Sequence, residues 1–153
     1  MKVLVTGVAG QLGHDVMNEL HKRGYEGVGS DIAPQYSGAD DGTAVTKMDY
    51  VQMDITNSEE VTETIKKVNP DVVVHCAINV GGTENIARVC KELDCKMVYI
   101  STDYVFDGYG TRPWEEDCKD YAPLNVYGES KLMGEKVVSL NLEKYFIVRI
   151  AWV

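Results

Sequence analysis

The chain has no run of 18 apolar residues, about the shortest that crosses a bilayer as a helix, so membrane contact is not expected. Its first apolar stretch, Met1-Lys2-Val3-Leu4-Val5, meets Gly7 too early to be the core of a secretory leader. A cytoplasmic location is the expectation. Basic side chains are scarce: 15 Lys and Arg face 24 Asp and Glu, for a net charge of −9. That balance repels a phosphate backbone and argues against nucleic acid as a partner. There is no C-x-x-C pair among Cys76, Cys90, Cys95 and Cys118. His14, His21 and His75 stand at no familiar ligand spacing, so no metal site is expected. Four cysteines fit two disulfides, but without a leader there is little reason for them, and all four are read as reduced. Cys76, in an apolar run, reads as a small buried hydrophobe. No internal repeat or low-complexity tract is present.

What remains is a 153-residue chain, 44% hydrophobic and 25% charged, a size that suits one domain over residues 1–153. A chain of this length can bury roughly 68–70% of its unfolded surface and needs no staple. Short apolar runs alternate with amphipathic stretches. Strands are expected at Lys2–Thr6, Tyr25–Ser30, Val51–Met53, Asp71–Ala77, Lys96–Ser101 and Tyr145–Val153. Helices are expected at Gln11–Arg23, with Leu12, Val16 and Leu20 on one face, and after the capping choices Thr56 to Glu60, with Val61, Ile65 and Val68. Two more follow at Thr83–Leu93 and Asn125–Leu140, the last weakened by Gly128 and Gly134. Asp31–Asp49 and Asp103–Pro123 read as loops. The rhythm predicts an α/β fold with a doubly wound, mostly parallel sheet. Val72-Val73-Val74, apolar on both faces, belongs at its centre.

Gly7-Val8-Ala9-Gly10-Gln11-Leu12-Gly13 has the spacing G-x-x-G-x-x-G between a strand and a helix. Glycines there let the backbone approach a pyrophosphate, whose charge faces the helix N-terminus. Asp31 ends the second strand, where a carboxylate accepts from a ribose 2′-hydroxyl and repels a 2′-phosphate. The pattern predicts a bound dinucleotide, NADH in preference to NADPH. Asp54 and Ile55 end the third strand and could touch the adenine, although Asp54 also suits the turn before the helix cap.

Tyr127 and Lys131 are four residues apart, on one face of the last helix. A free tyrosine has a pKa of about 10; a neighbouring ammonium favours the phenolate and fits the phenol for proton transfer. Such pairs also arise by accident on surface helices. The earlier Ser101 and Thr102 lie just past the carboxyl end of a strand, where open α/β sheets bind ligands, and can bond a substrate carbonyl or merely cap a turn.

With these segments together the chain resembles the extended short-chain dehydrogenase/reductase superfamily, most closely the dTDP-4-dehydrorhamnose reductase family. The resemblance runs through VLVTGVAGQLGHDV (3–16), NPDVVVHCA (69–77), VYISTDYVFDG (98–108), PLNVYGESKL (123–132) and YFIVRIAWV (145–153). It implies a Rossmann-like fold and an NADH- or NADPH-dependent oxidoreductase of dTDP-rhamnose biosynthesis that reduces the 4-keto group of a dTDP-linked 6-deoxyhexose. Tyr127 would be the proton donor, Lys131 its charge partner and a ribose ligand, and Thr102 the third catalytic residue. Gly7, Gly10, Gln11, Leu12, Asp31, Asp54, Ile55, Cys76 and Ala77 would line the cofactor. Tyr104, Phe106 and Trp152 would face the dTDP-sugar, and a homodimer is the candidate assembly.

The chain departs from that family in two places. Members are close to twice as long, so the C-terminal substrate lobe is expected to be absent from this chain. Members also carry an extra loop and half-helix after the HCA strand, whereas here Ala77–Thr83 joins strand to helix directly. A shortened protein and a longer one closed up across a segment both fit. Two other functions stay open: a non-catalytic dinucleotide-binding regulatory subunit, as in relatives that regulate methionine adenosyltransferase, and a sugar-nucleotide epimerase or dehydratase.

Overall fold

Val3, Leu4 and Val5 are buried on both faces of their strand, and the architecture follows from that central position. The computed structural model describes residues 1–36, 49–109 and 113–151. Among them the strands and helices run in the order β1 (Lys2–Thr6), α1 (Gln11–Lys22), β2 (Glu26–Asp31), β3 (Asp49–Gln52), α2 (Ser58–Val68), β4 (Val72–His75), α3 (Val80–Glu92), β5 (Lys96–Thr102), α4 (Val126–Asn141) and β6 (Tyr145–Ile150). The strands form one sheet in the order β3-β2-β1-β4-β5-β6, and every neighbouring pair is parallel. Val3 stands beside Gly27 on one side and Val72 on the other. The winding reverses between β1 and β4, and the carboxyl ends of those two strands therefore border the crevice where such sheets take ligands.

The period of two along β1 separates two cores. Val3 and Val5 pack with Val8 and Met17 under α1. Leu4 joins Val28, Met53, Ile65, Val73, Ile86, Met97, Tyr99 and Val138 on the face covered by α2, α3 and α4. The buried stripe of α1 is Gly13, His14 and Met17, one residue round from the expected Leu12, Val16 and Leu20, which are half-buried. The reason is Gly13: a Cβ there would lie 2.2 Å from the Gly7 carbonyl oxygen, so this side of the helix must press on the glycine loop.

Local signals set most helix ends. The Asn57 side chain accepts from the Glu59 and Glu60 amides at 3.1 and 3.2 Å and starts α2, and Asn69 ends it with φ +50°. The α3 helix starts at Val80, three residues before the expected Thr83, because the Asn79 side chain accepts from the Gly82 amide at 2.7 Å. Gly82 is no breaker here; a Cβ on it would be 2.6 Å from the Ile55 side chain.

His75, fully buried, ends β4. Its Nδ1 lies 2.7 Å from the Thr6 hydroxyl and its Nε2 3.0 Å from that of Thr83. The Thr83 hydroxyl donates to the Asn79 carbonyl at 2.7 Å, so it accepts from His75 Nε2–H, which leaves Nδ1 to accept from Thr6. This neutral imidazole joins β1, β4 and the first turn of α3. Burial, helped by the nearby Lys131 charge, pushes its pKa down to about 3.

Candidate active site

Each glycine of the loop after β1 has a different physical reason. Gly7 has φ +80°, and its amide donates to the Ser30 carbonyl at 2.9 Å; a Cβ would come within 2.8 Å of the Ala77 amide nitrogen. Gly13 is held against that same turn. Gly10 is exposed, and a Cβ on it would meet only the Gly7 carbonyl oxygen, at 3.4 Å, an ordinary contact. The protein itself does not require glycine at position 10; a ligand approaching the backbone at the start of α1 would.

Two clefts meet at Gly7. One, of about 210 Å³, is bordered by Ser30, Asp31, Asp54, Ile55 and Ala77. Asp31 Oδ2 accepts from the Ala9 amide at 2.9 Å and Oδ1 from the Ile32 amide at 2.8 Å, so its carboxylate is fixed across the mouth of the glycine loop. A carboxylate has about four lone-pair sites, which leaves capacity for a diol. Asp54 serves the turn: Oδ1 accepts from the Thr56 amide and hydroxyl at 2.9 and 2.7 Å, which lowers its pKa. The Ser30 hydroxyl, not singled out from sequence, borders this cleft and is buried without a hydrogen-bond partner among the described residues. An orphaned polar atom here and a bare Gly10 are what a dinucleotide would fill.

The second cleft, of about 180 Å³, runs from Gly7, Gly10, Gln11 and Leu12 past Cys76 to Ser101, Tyr127 and Lys131. The phenol and the ammonium thus open on the same space as the glycine loop. Asn125 positions them, its side chain accepting from the Gly128 amide at 2.7 Å and starting α4. Gly128 and Gly134, read from sequence as weak points, let the helix lie flush: a Cβ would be 2.1 Å from the Tyr104 carbonyl oxygen or 2.0 Å from the Tyr99 hydroxyl. Lys131 is buried with Nζ 4.7 Å from the centre of the Tyr99 ring. Burial pushes its pKa down to about 8, against the opposing effects of Cys76 and Glu135. Burial likewise pushes the Cys76 thiol up to about 11, so it is not a nucleophile at neutral pH.

Thr102 ends β5 beside this cleft, but its hydroxyl accepts from the Tyr104 amide at 3.3 Å and donates to Asp103 Oδ1 at 3.1 Å. Ser101 is the residue of that pair that borders the cleft. Tyr104 is half-exposed, its ring edge-on to Tyr127 with centroids 6.0 Å apart. Phe106 is buried, stacked on Trp114 and Tyr121 at 4.5 and 5.7 Å. Trp152 lies outside the described residues. A cavity of about 410 Å³ at the opposite end of the sheet is bordered by Cys90, Cys95 and residues 139–144, remote from the glycine loop. Among the described residues no helix is long and apolar enough to cross a membrane, and no three His, Cys, Asp or Glu are placed to hold a metal ion.

Residues 1–153 match the family described as RmlD substrate binding domain. The chain belongs to that family. A dTDP-4-dehydrorhamnose reductase of Shigella flexneri is 35% identical over 170 aligned positions, covering all of this chain and 52% of the relative. A methionine adenosyltransferase 2 subunit beta of Rattus norvegicus is 33% identical over 92% of the chain and 43% of its own length. Among solved structures, a dTDP-4-dehydrorhamnose reductase of Clostridium acetobutylicum superposes with a TM-score of 0.79 at 31% identity, over 99% of this chain and 54% of the other. That of Bacillus anthracis, in complex with NADP, gives 0.77 at 30% identity, over 99% and 53%. The chain spans about half the length of the curated relatives it matches.

Proposed function

We propose that the chain forms the cofactor half of an NAD(P)H-dependent reductase acting on the 4-keto group of a dTDP-linked 6-deoxy sugar. One observation carries the reading: the glycine loop and the Tyr127–Lys131 pair open on one cleft. Gly10 and the first turn of α1 would receive the pyrophosphate, and Asp31 the adenosine ribose, which favours NADH. When bound, a reduced nicotinamide supplies hydride. Tyr127 then gives its phenolic proton to the carbonyl oxygen as negative charge develops there. Lys131 favours the phenolate left behind by its charge. With a pKa of about 8 that charge is present at neutral pH and lost above, which predicts an alkaline limb near pH 8.

The relatedness to an adenosyltransferase subunit favours a second reading, a dinucleotide-binding regulatory subunit. A phenol and an ammonium in the cleft favour the enzyme, since binding alone does not call for them. The test is calorimetric NADH titration, followed by NADH oxidation with dTDP-4-keto-6-deoxy-L-mannose. Binding by the parent and none by a folded Gly10→Val variant supports the cofactor site; equal binding refutes it. Sugar-dependent oxidation selects the reductase. This chain alone, without a substrate lobe, should bind NADH and turn over the sugar barely or not at all. Binding without oxidation in a form that includes the lobe selects the regulatory subunit.

A further inference from the structure

Glu135 lies one turn beyond Lys131 on α4 and is buried, with a side chain only 4% exposed. Its Oε1 accepts from the Ser101 hydroxyl at 2.6 Å and from Arg149 Nε at 2.9 Å; Oε2 accepts from Arg149 Nη2 at 2.7 Å. Arg149 Nη2 also donates to the Tyr121 hydroxyl at 2.8 Å, and the guanidinium lies 5.3 and 5.2 Å from the centres of the Phe106 and Tyr121 rings. One carboxylate thus joins α4 to β5, to β6 and to the segment after β5. It does so within a turn of the ammonium and next to the strand end that carries Thr102.

We propose that Glu135 is a positioning residue: clamped by Ser101 and Arg149, it seats the helix bearing Tyr127 and Lys131 on the end of β5 and gives the Lys131 ammonium its counter-charge. The proposal rests on reading Tyr127 and Lys131 as the reacting pair. Lys131 needs such a partner. From β4 and the residue after it face His75, held neutral, and Cys76, held as a thiol. From β5 faces Tyr99, whose phenol burial pushes up, and on α4 itself stands Tyr127. The glycine loop and Ile150, which complete the cleft, carry no titratable side chain. Glu135, four residues along the same helix, is the carboxylate whose charge raises the proton affinity of Lys131, and Arg149 fixes its direction. A bidentate guanidinium is the geometry that holds a carboxylate in one orientation.

The test reads Lys131 Nζ by nitrogen-detected NMR in the full chain without cofactor, across pH 6 to 11. In Glu135→Gln, which keeps shape and removes charge, the proton affinity of Lys131 should fall about tenfold or more, as removal of a close opposite charge does. A paired Glu135→Met and Arg149→Met variant guards against misfolding, since apolar replacement of a buried ion pair is usually tolerated. There the fall should be smaller, because a repulsive guanidinium is removed too, but still measurable. In a form that includes the substrate lobe, the alkaline limb of NADH oxidation should move down by the same interval. A Lys131 titration at or above the parent's in Glu135→Gln, or in the paired variant if the single one does not fold, overturns the proposal. A parent that binds no NADH would count against the proposed function alone, because the Lys131 titration is read without cofactor.

Discussion

Acid should loosen this fold above the range in which carboxylates titrate, and His75 is the reason. In the unfolded chain its imidazole takes a proton below about pH 6.5. In the folded chain it stays neutral down to about pH 3, because Thr6 and Thr83 use both ring nitrogens and burial opposes the charge. Between those values the unfolded state holds one more proton, so stability falls as pH falls. At about 1.4 kcal/mol per unit, the loss from pH 6.5 to pH 5 is about 2 kcal/mol, growing to about 5 kcal/mol by pH 3. For a domain of this size, 2 kcal/mol lowers Tm by about 4–8 °C. Urea unfolding at pH 7, 6 and 5 measures it, with His75→Gln as control. The variant should be less stable at pH 7 and should lose most of the slope between pH 6.5 and 5. The Asp54, Glu19 and Glu92 carboxylates, all held below their usual range, act only at lower pH. A folded-state His75 ring that titrates near pH 6 by NMR, or an equal slope in His75→Gln, would refute the reasoning.

Gly13→Ala should destabilise the protein by about 1–3 kcal/mol in urea, because its Cβ meets the Gly7 carbonyl, whereas Gly10→Ala should leave the midpoint nearly unchanged. Equal midpoint shifts would contradict the division of labour between these glycines. Asp31→Ala should narrow the NADH/NADPH affinity ratio by removing a ribose acceptor and a repulsive charge; an unchanged ratio in calorimetry would move the preference elsewhere. In a form that includes the substrate lobe, Tyr127→Phe should retain NADH binding and lose about 10²–10⁴ in kcat of sugar-dependent oxidation, the usual worth of general-acid help. A loss below tenfold would remove Tyr127 from the role of proton donor.

What could be read from the chain beforehand was whatever is encoded locally. The apolar run Val3-Leu4-Val5, the glycines at 7, 10 and 13, and Asp31 at a strand end all lie within one strand–helix–strand unit, and they fell where their spacing placed them. The structure starts α3 three residues before the expected Thr83, because the signal for that start, Asn79 three residues before Gly82, is a single cap with no apolar period behind it. The buried stripe of α1 lies one residue round from the expected one because periodicity marks the apolar side chains and not the glycine that touches the loop. Glu135 and Arg149 could not be paired from the chain: they sit on a helix and an edge strand, and no period links them. Nor does sequence say which of Ser101 and Thr102 borders the cleft, or that the Ser101 hydroxyl turns to Glu135 and that of Thr102 to Asp103, since both types cap turns equally well. The orphaned Ser30 hydroxyl is a property of packing alone.

The wholly parallel sheet also sets an order of events in folding. No neighbouring pair is joined by a hairpin, so every ladder waits for a crossover. The β1–β2 ladder closes the segment from Lys2 to Glu26, and the β1–β4 ladder the much longer one from Val3 to Val72. By the logarithmic law of loop closure, the longer loop costs only about 1 kcal/mol more, so the delay is one of synthesis rather than of entropy. The strand that will lie at the centre of the sheet emerges before both strands that flank it and pairs early on one side. Its other edge, with unpaired amides and carbonyls, stays open until residues beyond His75 are made. During that interval β1 is an edge strand with an apolar sequence, the combination most prone to pairing with another chain. The same residues that make it a stable core strand in the finished fold make it the point most exposed to aggregation while the fold is incomplete.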